Sequence, residues 1–377
     1  MQSLKVLIVL LTTLLSFKTF AQPPLSPQAK ISLITCGAGN ELYSIFGHTA
    51  IRVHDPNSML DVVYNFGTFD FDTDNFYLKF VKGDLQYFVS ASSYADFVYT
   101  YQYYNRDVFE QHLNLSPAQV QQLSNELYTR LNSDSKYYTY KFFDRNCTTM
   151  VGDILNKYLP QKISMANSDA GKTNREIIYE RLHNKFYENL GISLIFGHKT
   201  DLQQYKLFLP THLMEGVANT KTPLGNLAQP AVTVYKSTAQ QQTSLWNNFY
   251  TYAVICLALM YLSAKSVVAQ RSLLAIFGLL GVFFSFVGLY SYHDEIAQNY
   301  NALLINPLFL LLLVFIFAKN AGAAKITALT CLGCIAVYLV FVFNKPYLFA
   351  VMPLMALIVL LLLGVLGISF KKRIQKI

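Results

Sequence analysis

The sequence predicts an exported α+β domain followed by an α-helical membrane bundle of about five spans. The chain of 377 residues is 53% hydrophobic and 14% charged, and its apolar residues are spread unevenly. From Asn247 onward it is almost continuously apolar, whereas the preceding half alternates short strand-like and helix-like segments separated by turn residues. The first residues have the layout of a secretory signal.

That signal covers residues 1–21. Lys5 supplies the positive start, Val6 to Phe17 the apolar core, and Thr19-Phe20-Ala21 the small residues at cleavage spacing. An uncleaved N-terminal anchor is the alternative, with Lys18 near the end of the run. Either way the next two hundred residues are delivered outside.

The net charge of +8 suggests nucleic acid until the charges are located. Residues 247–377 hold nine Lys/Arg against Asp294 and Glu295, and Lys5 and Lys18 lie in the signal. The exported domain itself is left at −1, so no nucleic-acid footprint is expected. Five apolar segments follow, at about 249–264, 272–290, 302–318, 326–343 and 347–370, within a membrane domain of 247–370. With the first span running inward, Lys265, Arg271, Lys319, Lys325 and the four basic residues of the tail 371–377 fall on the cytoplasmic side. Only Lys345 falls outside, as the positive-inside rule requires.

The exported domain covers 22–227. Ile31–Cys36 is a short strand, followed by the turn Gly37-Ala38-Gly39-Asn40. Gly47–His54 alternates, with His48, Ala50, Arg52 and His54 on one face and Thr49, Ile51 and Val53 on the other. Val62–Phe69, Leu85–Ser90 and Arg106–Leu115 are further strands. Ser116-Pro117-Ala118-Gln119 starts a helix with an N-cap, a proline at the first position and a capping-box Gln. An aromatic strand over Lys136–Phe143 leads to a second helix beginning near Cys147, with Val151, Ile154, Leu155 and Tyr158 at helical spacing. Arg175–Leu190 is expected to be helical, and 228–246, polar with one proline, to be a linker.

Five cysteines are present, and only Cys36 and Cys147 lie in the exported domain. In Asp144-Arg145-Asn146-Cys147-Thr148-Thr149 the thiol sits at a helix start, where the positive helix end and free N–H groups favour a thiolate and a developing oxyanion. His48, opening its strand after Gly47, is the best candidate base, because a Cys–His pair suffices for acyl transfer. His54 adjoins the Asp55-Pro56 turn, and His112, His183, His198 and His212 lack comparable settings. Asn65 and Tyr64 could orient the His48 ring or be strand polar groups; Asp144 or Asn146 could support the site or simply cap the helix. Glu41, Tyr43 and Ser44 flank the expected cleft mouth. Cys36 is a second thiol, a buried small residue, or half of a Cys36–Cys147 disulfide, the structural alternative in an oxidising compartment. His293, Asn299 and Asn301 lie in an outside loop at headgroup level, for substrate or for solvation. No His/Cys pair has metal-ligand spacing, and no cofactor is expected.

A Gly-His strand followed by an Asn-Cys helix start is similar to the permuted papain-like group that includes NlpC/P60 hydrolases and lecithin–retinol acyltransferase. More specifically, four stretches resemble the Bacteroidota lipoprotein N-acyltransferase family, Lnb. They are Ile34-Thr35-Cys36-Gly37, the run from Glu41 to Val53, Tyr64-Asn65-Phe66-Gly67-Thr68-Phe69-Asp70-Phe71, and Asn146-Cys147-Thr148-Thr149. Phe208-Leu209-Pro210, Asn299-Tyr300-Asn301 and Asn306-Pro307-Leu308 extend the likeness. The resemblance implies an α+β permuted papain-like (NlpC/P60-like) periplasmic domain on a multi-pass inner-membrane bundle. It implies a ping-pong reaction in which Cys147, with His48 as base, takes an acyl chain from a phospholipid and passes it to the α-amine of a diacylated lipoprotein. The rivals are a membrane-tethered cysteine peptidase or amidase and a non-catalytic lipid- or protein-binding module.

Overall fold

The computed structural model describes residues 24–238 and 244–368; the expected signal 1–21, part of the expected linker at 239–243 and the basic tail 371–377 lie outside the described residues. The first half runs β1 (Lys30–Cys36), β2 (His48–Asp55), β3 (Leu60–Thr68), α1 (Phe76–Lys82), β4 (Gln86–Ser93), α2 (Tyr94–Tyr103), β5 (Val108–His112) and α3 (Pro117–Leu131). It continues with β6 (Tyr137–Thr139), α4 (Cys147–Tyr158), α5 (Asn174–Arg181), α6 (Phe186–Ile195), α7 (Pro210–Ala218), β7 (Lys221–Thr222), β8 (Gly225–Asn226) and β9 (Val232–Tyr235). Seven strands form one antiparallel sheet in the order β6-β4-β3-β2-β1-β5-β9.

Alternation along the strands separates the two faces. Ile31, Leu33, Ile51, Val53, Tyr64 and Phe66 bury against Leu123 and Leu127 of α3, Val151 and Leu155 of α4, and Leu213 of α7. Ile34, Cys36, Ala50 and Val63 bury on the other face, under Phe97 and Tyr101 of α2. The capping box at Ser116 and Gln119 forms as expected and starts α3 at Pro117.

Three expectations need correction. The aromatic strand predicted over Lys136–Phe143 pairs with β4 only through Thr139, and Phe142 and Phe143 turn away to pack edge-on against Phe196 and Phe208. The helix predicted over Arg175–Leu190 is two helices, α5 and α6, with the break at 182–185. The predicted linker is not free chain at its start, since β9 pairs with β5 and extends the sheet.

The second half is α8 (Phe249–Lys265), α9 (Val267–Tyr290), α10 (Leu308–Phe317), α11 (Ala321–Val342) and α12 (Leu348–Val365). Among the described residues four segments are long and apolar enough to cross a membrane: Val267–Tyr290, Asp294–Phe317, Ala321–Val342 and Leu348–Val365. The expected first span, α8, has 17 residues and is shorter. Within 294–317 only 308–317 is α-helical, and short 3-10 turns at Asp294–Ile296 and Tyr300–Leu303 precede it. Irregular backbone beside a bundle needs protein cover, and glycines of α9 provide it. A Cβ on Gly281 would lie 2.4 Å from the Asn306 carbonyl carbon, and one on Gly288 would lie 3.0 Å from Ala297.

Those turns are also where the two halves meet. The buried Arg175 pairs with Asp201 at 2.6 Å, donates to the carbonyls of Ser193, Phe196 and Gly197, and lies over the rings of Tyr300 and Tyr347. Lys345, from the turn between α11 and α12, reaches the same Asp201 at 3.1 Å. Asn301 accepts from the hydroxyls of Tyr338 and Tyr347, both at 3.0 Å, and donates to the Ser193 carbonyl. Lys141 and Lys199 both reach Asp294. At the far end of the bundle Arg271, Lys319 and Lys325 line one shallow depression.

Arg175→Met should remove a donor from three carbonyls, leaving that of Phe196 with none, and leave Asp201 with one cation fewer. A loss of about 3–5 kcal/mol is expected, read as a clear fall in the thermal midpoint of the detergent-solubilised full chain. An unchanged midpoint would mean that the contact between the halves contributes little to stability.

Candidate active site at the start of the Cys147 helix

Asn146 places the thiol. Its side-chain oxygen accepts from the amides of Thr148 and Thr149, both at 2.9 Å, and its amide nitrogen donates to the carbonyls of Phe142 and Phe208. Thr149 returns the bond through its hydroxyl, completing a capping box. Cys147 is therefore the first residue of α4. Among the described residues its own amide has no acceptor, while those of Thr148, Thr149 and Met150 are all bonded to Asn146.

Cys147 is partly exposed and lies against the His48 imidazole. The His48 Nε2 hydrogen-bonds to Asn65 Oδ1, which fixes the ring and leaves Nδ1 for the thiol. On the sheet, β2 and β3 set this pair, with Ala50 opposite Asn65. The arrangement Cys147–His48–Asn65 is thus assembled by three neighbouring elements. Burial pushes the Cys147 thiol up, but the adjacent His48, the Thr49 amide and the Thr148 hydroxyl outweigh it and hold the thiol at about 7, below its ordinary 9.0. For His48 burial works downward, and the thiolate charge, the thiol contact and Asn65 raise its pKa overall. The two shifts favour a thiolate–imidazolium pair.

Two glycines have different tasks. Gly47 has φ +85°, and a Cβ there would lie 2.6 Å from the Cys36 carbonyl oxygen, so the backbone demands glycine before His48. The room for a reacting group comes from Gly67. At φ +96° in the bulged end of β3, its missing Cβ would sit 3.7 Å from Cys147 Cβ, 3.9 Å from Tyr138 Oη and 4.0 Å from His48 Cε1. The Tyr138 hydroxyl is buried beside the Gly67 backbone, meets no other hydrogen-bond partner among the described residues and stays protonated, because burial and the Cys147 charge raise its pKa.

Residues 25–181 match the family model described as the Lnb N-terminal periplasmic domain. That segment is similar to the Lnb N-terminal periplasmic domain. The match runs from just before β1 to the end of α5 and takes in Cys147, His48, Asn65, Gly67 and Tyr138. The chain matches no curated protein and no solved structure.

The other sequence candidates lie as follows. Tyr64 points into the core on the α3 side, with its hydroxyl pKa raised by burial, and takes no part in holding His48. Asp144 pairs with Lys199 and accepts from Tyr205, away from the helix cap. Cys36 is buried and free, and burial pushes its thiol up to about 12. No bond joins it to Cys147, so the disulfide alternative is not the one realised. Glu41 and Ser44 shape a tight turn, the Ser44 hydroxyl donating to the Glu41 carbonyl, while Tyr43 is exposed with its ring edge on Phe69. His293 bonds the Phe80 carbonyl, Asn299 donates to the carbonyls of Leu194 and Ile195, and Asn301 is fully buried; all three join the two halves of the chain.

Gly67 and Tyr138 were not among the sequence candidates. A glycine interrupting an alternating strand was a usable signal for the first. Tyr138, one of several tyrosines in an aromatic run, offered none.

Alkylation of Cys147 by iodoacetamide should rise with pH around a midpoint near 7. Cys36 should stay unlabelled in folded protein. His48→Ala should move the Cys147 midpoint up toward the ordinary 9.0. A wild-type midpoint already at that ordinary value would remove the case for an activated thiol.

Proposed function

We propose that this protein is a lipoprotein N-acyltransferase. In this reading Cys147 takes an acyl chain from a phospholipid and passes it to the α-amine of the N-terminal, lipid-modified cysteine of a lipoprotein. The observation that carries it is the lowered thiol of Cys147 against an imidazole oriented by Asn65, on a domain seated directly on a membrane bundle. The Lnb match supports the family context. A cell-wall peptidase would need the same thiol, but it would gain little from so large an apolar bundle.

In the first half-reaction His48 holds the thiol proton, and the Cys147 sulfur attacks the ester carbonyl carbon of the phospholipid. The carbonyl oxygen becomes an oxyanion, for which the free Cys147 amide and the Tyr138 hydroxyl are the donors at hand. Collapse breaks the ester C–O bond, and His48 returns its proton to the leaving lysophospholipid oxygen. In the second half the lipoprotein amine attacks the thioester carbonyl, His48 takes a proton from the nitrogen, and the sulfur leaves. The products are an amide and free enzyme. Both substrates are confined to the outer leaflet, and α8, starting beside the domain and ending at Lys265, would be the fifth span, with the inner membrane as location.

Enzyme given phospholipid but no acceptor should stop as an acyl-enzyme. Mass spectrometry should find a fatty acyl group on the Cys147 peptide, removable by neutral hydroxylamine. Cys147→Ala should abolish both this adduct and lipoprotein N-acylation, and His48→Ala should slow turnover by roughly two orders of magnitude. An adduct on Cys36, or a cleaved peptide with no adduct, would sink the assignment.

Tyr138→Phe removes one hydroxyl from a buried position. Turnover should fall by roughly 10²-fold, with the pH midpoint of Cys147 alkylation unmoved. Full turnover in this variant would leave the Cys147 amide as the sole oxyanion donor.

A further inference from the structure

Helix α1 carries the sequence Phe-Tyr-Leu-Lys-Phe-Val-Lys and buries none of its seven residues. Tyr77 is 78% exposed and Leu78 69%, and Phe71, Phe80 and Val81 are exposed beside them. A surface helix normally turns such side chains inward, so this ridge needs an occupant. Its position says which. The Val81 carbonyl accepts from Ser291 Oγ at 2.8 Å, the Lys82 carbonyl from the Tyr292 amide at 2.7 Å, and the Phe80 carbonyl lies 2.8 Å from His293 Nε2. Those three residues follow directly on Val267–Tyr290, a segment able to cross a membrane. At the same end, Tyr290 and Tyr292 are exposed next to α1, and Trp246 and Tyr250 are exposed at the start of α8. Aromatic residues in such a belt mark the headgroup level of a bilayer.

From this ridge an apolar path leads to the thiol. Phe76 packs on Phe71 at 5.0 Å, Phe71 on Phe69 at 4.9 Å, Phe69 on Tyr87 at 5.3 Å and Tyr87 on Tyr140 at 4.8 Å. Phe69, Phe76, Tyr140 and Cys147 border one apolar cluster. We infer that α1 is an interfacial helix lying in the outer leaflet, and that the aromatic surface from Phe76 to Tyr140 guides a lipid acyl chain from that leaflet to Cys147. The leaflet placement stands on its own; the guiding role rests on the proposed acyl transfer.

Two measurements on the full chain in phosphatidylethanolamine/phosphatidylglycerol vesicles test it. First, a polarity-sensitive fluorophore on Leu78→Cys, in a Cys147→Ala background, should be quenched by lipids carrying a quencher high on the acyl chain and shielded from aqueous iodide. Quenching by iodide alone overturns the leaflet placement. Second, the double variant Leu78→Gln/Val81→Gln should form acyl-Cys147 from vesicle phospholipid roughly tenfold or more slowly, as expected for losing over a kcal/mol of apolar contact. Its iodoacetamide alkylation of Cys147 should keep the wild-type rate and pH midpoint, showing an intact site. Unchanged acylation by the double variant overturns the guiding role. A wild-type protein that forms no acyl-enzyme at all would refute the proposed transfer and, with it, the guiding role, while the fluorophore still decides where α1 lies.

Discussion

One side chain decides where the Cys147 thiol stands. Asn146 spends its oxygen on two amides of the first turn of α4 and its nitrogen on two carbonyls from separate segments, Phe142 and Phe208. A helix start fixed from both sides cannot slip by a residue, so Cys147 occupies the first helical position. An ordinary N-cap contributes about 1 kcal/mol; this one also ties the 142–146 turn to the strap before α7. The sheet then brings His48 and Asn65 to the sulfur from the next two strands, and the glycine at 67 leaves the space in front of it open.

The second constraint is the seat of the domain on the bundle. Arg175, Asp201 and Lys345 form a buried chain of charges, and Asn301 gathers two tyrosine hydroxyls from the helices beneath. Burying ions is costly unless their lone pairs and protons find partners, and Arg175 places four of its five N–H groups on one carboxylate and three carbonyls. The contact therefore specifies a single orientation rather than a loose apposition.

Much of this was legible in the sequence, and the pattern of success has a physical basis. Strands β1 to β4 and helices α3 and α4 follow from alternation and capping residues, which act locally. The Cys147–His48 pairing was also readable, because a helix start and a glycine-led strand each signal an unusual local setting. The split of α5 from α6, the early turn after Thr139 and the added strand β9 were not, since each depends on packing partners distant in sequence. Likewise the polar residues His293, Asn299 and Asn301 suggested a solvated or lipid-facing loop. They are instead the means by which irregular backbone is satisfied between two bodies, a role visible only once both are in place. Gly47 shows a subtler limit: the sequence places it before His48, but only the fold shows that the Cys36 carbonyl is what requires it.

The seat formed by Arg175, Asp201, Lys345 and Asn301 has a kinetic consequence. A domain held rigidly on its bundle cannot reach into bulk water or stretch toward a distant surface. On the proposed transfer, both substrates arrive by sliding sideways within the same sheet of lipid. For the proposed transferase, concentration is counted per area rather than per volume: mixing inert lipid into the bilayer thins out its encounters, whereas diluting the suspension leaves them untouched.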